Sequence, residues 1–274
     1  MWSQLRIANS PENIKFNIQW FDSLTSTNQY CELLNLDEVE EFTVIAARSQ
    51  TAGIGQRGNH WESEAGKNLT FSLILKPDFL PVADQFRITE AVSLAMVDTL
   101  TLLLPQADGQ LRIKWPNDIY VATSKICGML VSNKIQHNIL QDSIVGIGLN
   151  VNQTSFPNWV PNPISVAQLI SHEIPLEPLL TQLLTNIGER YRRLRQHLNE
   201  KEEYLSLLLN RGVESDYLYH GTRIRATLCD VNSFGHLQLI TSNGTPLSCG
   251  LKEIAFLLPP PRPWEPSCKK NLAE

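Results

Sequence analysis

Apolar positions along the chain fall into two periods, and these set the expected elements. β-rich runs at 16–24 (FNIQWFDSL), 42–50 (FTVIAARSQ) and 68–75 (NLTFSLIL) read as strands, the last closed by Lys76-Pro77. LRIKW (111–115) reads as a short strand stopped by Pro116. KICGMLVSNKI (125–135) and DSIVGIGLNV (142–151) read as adjacent antiparallel strands across a polar turn. Helical spacing appears at 26–36, where Ser26 and Thr27 precede Tyr30, Leu33 and Leu34. It returns at 84–104, with a wide apolar face ended by Pro105, and at 164–170. A long helix is expected from Glu177 to about Leu209, with Leu179, Leu180, Leu183, Leu184 and Ile187 on one side. Its middle, ERYRRLRQH, reads as a solvated charged face, and residues 1–13 as a loose polar arm.

After Arg211-Gly212 the texture changes to short β runs punctuated at Asn232-Ser233, Asn243-Gly244 and Cys249-Gly250. A small antiparallel barrel is expected there. The end, PPPRPWEPSCKKNLAE, reads as a disordered proline-rich tail. The expected organisation is a catalytic-sized domain at 14–211, the barrel at 212–258 and the tail at 259–274.

Composition narrows the class. The chain has 274 residues, 42% hydrophobic and 19% charged, enough for a sizeable core. A net charge of -5 argues against nucleic acid as a partner. No apolar run approaches a membrane span, and the start lacks the apolar stretch of a secretory signal. Five cysteines, at 31, 127, 229, 249 and 268, form no C-x-x-C pair. Reduced thiols are expected rather than a zinc site, and the cytosol is the expected compartment.

Candidate chemistry begins at QTAGIGQRGNHW (50–61), where Gly53, Gly55 and Gly58 spell G-x-G-x-x-G. A dinucleotide turn needs a helix immediately after it, to present its amide dipole to the pyrophosphate. Here Gly58 leads into NHWESEAGKN and then a β run, with no helical spacing between them. A loop that closes over a ligand fits better: glycines expose amide donors, Arg57 adds charge and Trp61 an apolar lid. Three further segments add polar groups at strand ends. KWPND (114–118) carries Lys114, Asn117 and Asp118; KICGML (125–130) carries Lys125 and Gly128; GIGLNVNQ (146–153) carries Gly146 and Asn150.

In this order, STNQY, QTAGIGQRGNHW, KWPNDIY and KICGML resemble the biotin–protein ligase (biotin–[acetyl-CoA-carboxylase] ligase) family, over roughly residues 16 to 258. The resemblance implies an α+β fold: a mixed, mainly antiparallel sheet flanked by helices, of the class II synthetase-like kind, plus a C-terminal SH3-like barrel. It implies ATP-dependent activation of biotin as biotinyl-5′-AMP. Transfer to a lysine of the biotin carboxyl carrier protein of acetyl-CoA carboxylase would follow. Lys125 and Lys114, with Arg57, would offset the repulsion between carboxylate and triphosphate. Mg²⁺ would accompany ATP, with Asp118 and Asn117 as oxygen ligands. Ser26, Thr27, Asn28 and Gln50 would bind biotin's ureido ring, and Trp61 would cover its valeryl chain. The loop residues Gly53, Ile54, Gly55, Gln56 and Gly58 would line the adenylate. Gly128 and Gly146 would leave room for ligand, and Asn150 would lie near the adenine-ribose end.

Two departures carry their own expectations. The family's loop usually holds arginines where Ile54, Gln56 and Asn59 stand here, which implies looser retention of the adenylate. Many members begin with a DNA-binding winged helix; here the motifs start near residue 20, so no repressor role is expected. Within the fold, the alternative is a lipoate or octanoate ligase or transferase; outside enzymes, it is a binding module using the small barrel. Monomer and homodimer are both compatible with the sequence.

Overall fold

The computed structural model describes residues 2–6, 14–107 and 109–258. The tail reading at 259–274 lies outside the described residues, as do residues 7–13 of the expected arm. Residues 2–6 correct part of that arm: Trp2–Arg6 is a strand, β1, antiparallel to β2 (Lys15–Phe21). Backbone pairing, not apolar alternation, makes it a strand, so its polar composition concealed it.

The chain continues through α1 (Thr27–Glu32), β3 (Thr43–Ala47), β4 (Leu69–Leu75) and α2 (Phe86–Leu103). Next come β5 (Leu111–Lys114), β6 (Asp118–Val121), β7 (Ser124–Gln136) and β8 (Ile139–Leu149). One eight-stranded sheet results, in the order β1-β2-β3-β4-β8-β7-β6-β5. Among the described residues, only the β2–β3 pair of this sheet is parallel; the other strand pairs are antiparallel. β6 is an addition to the strands expected from the sequence. Its four residues sit between two turns, too short a run for any period to declare itself.

β4 is buried along its whole length, because both faces of the sheet centre are covered. On one face, Cys31 and Leu36 pack with Ile45, Ile74 and Ile144 beneath α1. On the other lie α2, α4 (Leu176–Arg195) and α5 (Lys201–Leu207), with the short α3 (Val166–Ile170) at the side. The single long helix expected from 177 is therefore two, broken at 196–200. The solvated reading of ERYRRLRQH also needs correction. Arg190 is 8% exposed and Tyr191 2%. Arg190 gathers Asp98 from α2 at 2.7 Å, Glu200 at 2.5 Å and Glu203 at 2.7 Å, tying three helices together.

Past Gly212 a second, five-stranded antiparallel sheet forms. Its strands are β9 (Glu214–Tyr219), β10 (Thr222–Val231), β11 (Leu237–Thr241), β12 (Pro246–Cys249) and β13 (Ile254–Phe256), in the order β12-β11-β10-β9-β13. The expected turns at 232–235 and 242–244 join them. Its buried residues, among them Tyr217, Leu228, Leu237 and Ile254, merge with the main core into one cluster. The Trp115 indole donates to Gly235 O at 3.0 Å across the junction. Lys201 pairs with Asp230 at 2.9 Å.

Candidate functional site

Side chains alternate across a sheet, so paired residues share a face. One transverse row on the α1 face reads Lys114 (β5), Asp118 (β6), Gly128 (β7) and Gly148 (β8). The next row reads Leu130, Gly146 and Ser72. The left half of this surface is charged, and the right half has almost no side chains. That difference opens a cleft of about 250 Å³ between the sheet, α1 and the 54–61 loop.

The charged half is organised by one carboxylate. Asp118 Oδ1 lies 2.7 Å from Lys125 Nζ, and Oδ2 lies 3.9 Å from Lys114 Nζ. A bulge at Ile119/Tyr120 lets Lys125, out of step with Gly128, still reach the same face. Lys125 Nζ lies 5.6 Å from the centre of the Trp61 ring. Asn117 is buried and donates its amide to the Met129 carbonyl. This donor set does not fit a resident cation. Asp118 is already engaged by two ammonium groups, and Asn117 is committed to holding β7. The expectation of both as Mg²⁺ ligands is therefore revised: they order the lysines and the strand.

The uncharged half carries hydrogen-bonding groups at its rim. Ser26 caps α1 by accepting from Gln29 N, which is why a helix begins there. Thr27 donates its backbone N–H and its hydroxyl to Gln50 Oε1, at 2.7 and 3.1 Å. Ser72 Oγ lies within hydrogen-bond distance of Thr27 Oγ1 and Asn28 Oδ1. Asn28 also donates to Leu130 O at 3.5 Å. Ser26, Thr27, Asn28 and Gln50 all line the cleft.

The loop is a tight hairpin, not the start of a helix. Gly55 N donates to Asn59 O and Trp61 N to Gly53 O, around a single 3₁₀ turn at Gln56–Gly58. Ile54, Gly55, Gln56 and Trp61 face the cleft. Gly53 and Gly58 are corrections, for they shape the loop instead of lining the cavity. A Cβ on Gly53 would stand 2.6 Å from Trp61 O, and Gly58 turns at φ +80°. Arg57 lies in the 3₁₀ turn, and its side chain is outside the described residues.

Glycines on the floor act through protein side chains. Gly146 leaves room for the Asn28 amide and Gly148 for the Trp61 indole. A Cβ on Gly128 would press on Lys125 and Trp61 at 3.0–3.1 Å. The expected direct clearance for ligand at Gly128 and Gly146 is thus indirect. Asn150 is buried, donates to the carbonyls of Lys125 and Ile164, and braces the Lys125 backbone from behind.

Several cleft residues were not singled out from the sequence: His60, Met129 and Leu130, although they lie inside the quoted motifs, and, from the C-terminal sheet with no motif at all, Ile254, Ala255 and Phe256. Ser72 and Gly148 become visible only once strand register is known. Burial pushes the nearby Cys127 thiol well up, so it remains protonated and is no nucleophile. The arrangement can hold an anion against two lysines and a polar, ring-sized group beside Thr27 and Gln50. It suits reactions that run by charge stabilisation and positioning, without a covalent enzyme intermediate.

The fold and cleft are those of a carboxylate-activating ligase with a synthetase-like sheet. The biotin protein ligase of Aquifex aeolicus in complex with biotin and ATP superposes with a TM-score of 0.72 at 23% identity, covering 87% of this chain and 97% of that one. The model of the biotin/lipoate A/B protein ligase family matches residues 20–150. The bifunctional ligase/repressor BirA of Bacillus subtilis is 30% identical over 261 residues, 92% of this chain and 76% of that protein. The biotin–[acetyl-CoA-carboxylase] ligase of Paracoccus denitrificans is 33% identical over 144 residues, 51% of this chain and 58% of that protein. The chain belongs to the biotin/lipoate A/B protein ligase family.

Proposed function

We propose that the chain activates biotin with ATP and passes the biotinyl group to a lysine of a biotin carboxyl carrier protein, that of acetyl-CoA carboxylase. The observation that carries this reading is the pair of lysines on one carboxylate beside a rim of amide and hydroxyl groups. Two anions must meet: the acid's carboxylate and the α-phosphate. Lys125 lowers the cost of that approach and stabilises charge in the transition state. Lys114 does so on the nucleotide side. The carboxylate oxygen forms a bond to the α-phosphorus and pyrophosphate leaves. The carrier amine then attacks the acyl carbon, AMP leaves, and the amine's proton is lost to solvent.

The rim favours biotin over lipoate. Thr27, Asn28 and Gln50 line the cleft with donors and acceptors of the kind a ureido ring can engage, whereas a dithiolane offers them no hydrogen bond. Trp61 covers the alkyl chain. No described helix is long and apolar enough to cross a membrane. The compartment proposed is the cytoplasm, where ATP is at hand. Magnesium enters as the companion of ATP, held by phosphates.

The test is pyrophosphate release from ATP with biotin, and with lipoate in parallel. Biotin supports release and lipoate does not. Lys125→Ala lowers the rate about a hundredfold or more while the circular dichroism spectrum is unchanged. Release at the wild-type rate in that variant would overturn the assignment of Lys125.

A further inference from the structure

Lys114 is held by aromatic faces from two different sheets. Its Nζ lies 5.7 Å from the centre of the Tyr120 ring and 5.5 Å from that of Phe256. Tyr120 stands on β6, next to the lysine's own strand; Phe256 stands on β13, in the C-terminal sheet. Asp118 Oδ2, at 3.9 Å, is at the long end of an ion pair, so the rings share the task of holding the ammonium. The Lys114 side chain is 22% exposed, which leaves cation–π attraction only partly screened. Phe256 is itself fixed. Its backbone pairs with Tyr217 on β9, and its ring meets the buried Tyr217 ring edge-on at 5.1 Å.

A lysine carries a strongly hydrated ammonium on a flexible four-carbon stem and holds one direction only where its surroundings restrict it. We infer that Phe256 is a positioning residue: through its ring, the C-terminal sheet sets where the Lys114 ammonium meets the nucleotide's phosphates. The nucleotide half of this statement rests on the proposed ligase activity; the contact itself does not. Neither sequence motif predicts it, since KWPND and the β13 strand lie far apart along the chain and in different sheets.

The experiment uses the full chain and two readouts. In the first, Phe256→Leu keeps apolar bulk against Tyr217 but removes the ring face. KM for ATP rises about three- to tenfold, the range of a partly desolvated cation–π contact. KM for biotin and the melting temperature stay near wild type. Phe256→Tyr restores KM for ATP, and in a Lys114→Met background Phe256→Leu adds nothing. In the second readout, ¹³C-lysine NMR without substrates, ring currents shift the Lys114 ε-methylene protons further upfield in wild type than in Phe256→Leu, where the Tyr120 ring alone remains, and an equal shift in the two overturns the contact. A larger wild-type shift with unaltered KM for ATP in Phe256→Leu overturns the positioning role. If wild type forms no adenylate at all, the ligase reading fails and takes the nucleotide half with it, while the NMR comparison still decides the contact.

Discussion

Asp118 Oδ1 and Oδ2 face different lysines, so one carboxylate sets the spacing between two ammonium groups. Neutralising it would remove an ion pair from each and leave the neighbouring rings to hold them. Across the cleft, Gln56 stands where the loop meets the ligand space without adding charge. A charge-assisted hydrogen bond contributes about 1.5–3 kcal/mol. Gln56→Arg is therefore expected to slow release of biotinyl-5′-AMP by roughly tenfold or more in a stopped-flow chase. An unchanged dissociation rate would count against a loop contact with the adenylate. That Lys114, Lys125, Asp118, Thr27 and Gln50 gather around one cleft was legible in the sequence, because each sits inside a short motif whose neighbours fix its place. The bracing role of Asn150 was not legible, because only the fold brings the carbonyls of Lys125 and Ile164 to its amide.

At the scale of elements, the charged stretch of α4 was the hardest to read. Arginines at helical spacing suggest solvent, and nothing local distinguishes one that turns inward. Arg190 does turn inward because Asp98 on α2 and Glu200 and Glu203 around α5 meet it from three directions. Glu200 is 7% exposed at its side chain. Arg190→Met is expected to destabilise the fold by about 1–3 kcal/mol, read as a lowered melting temperature, because three carboxylates lose the guanidinium they converge on and the buried Glu200 is left with Arg193. Glu90 on α2 gives a pH signature. Burial raises its carboxyl to about 7 from 4.5, outweighing the lowering effect of Arg87 and Lys201. The folded chain then keeps a proton that the unfolded chain gives up. Stability falls as pH rises from about 4.5 to about 7 and levels off above that. Glu90→Gln removes this slope and stabilises at pH 8 by at most about 3 kcal/mol. Denaturant midpoints across that pH range check it, and a slope unchanged in the variant would assign it to another group.

For the whole molecule, the strands other than β1 and β6 and most helices were legible because each carries its own period, and the turns of the second sheet carry Asn and Gly. The way the two sheets dock was not legible, since it depends on single contacts between distant residues. Gly235 is one. It turns at φ +84°, and a Cβ there would stand 2.4 Å from a carbon of the Phe86 ring. Gly235→Ala is expected to cost about 1–3 kcal/mol by overpacking alone. It should also speed proteolytic cleavage near Gly212 ahead of cleavage elsewhere; equal rates at all sites would show that the sheets do not separate there. The docked sheet supplies Ile254, Ala255 and Phe256 to a cleft whose earliest wall is Ser26. On the ribosome, that wall emerges long before the opposing one, which leaves the tunnel only after nearly all the described fold. A nascent chain therefore presents an unfinished cavity until translation has passed β13, and partial products interrupted before that strand lack one side of the pocket.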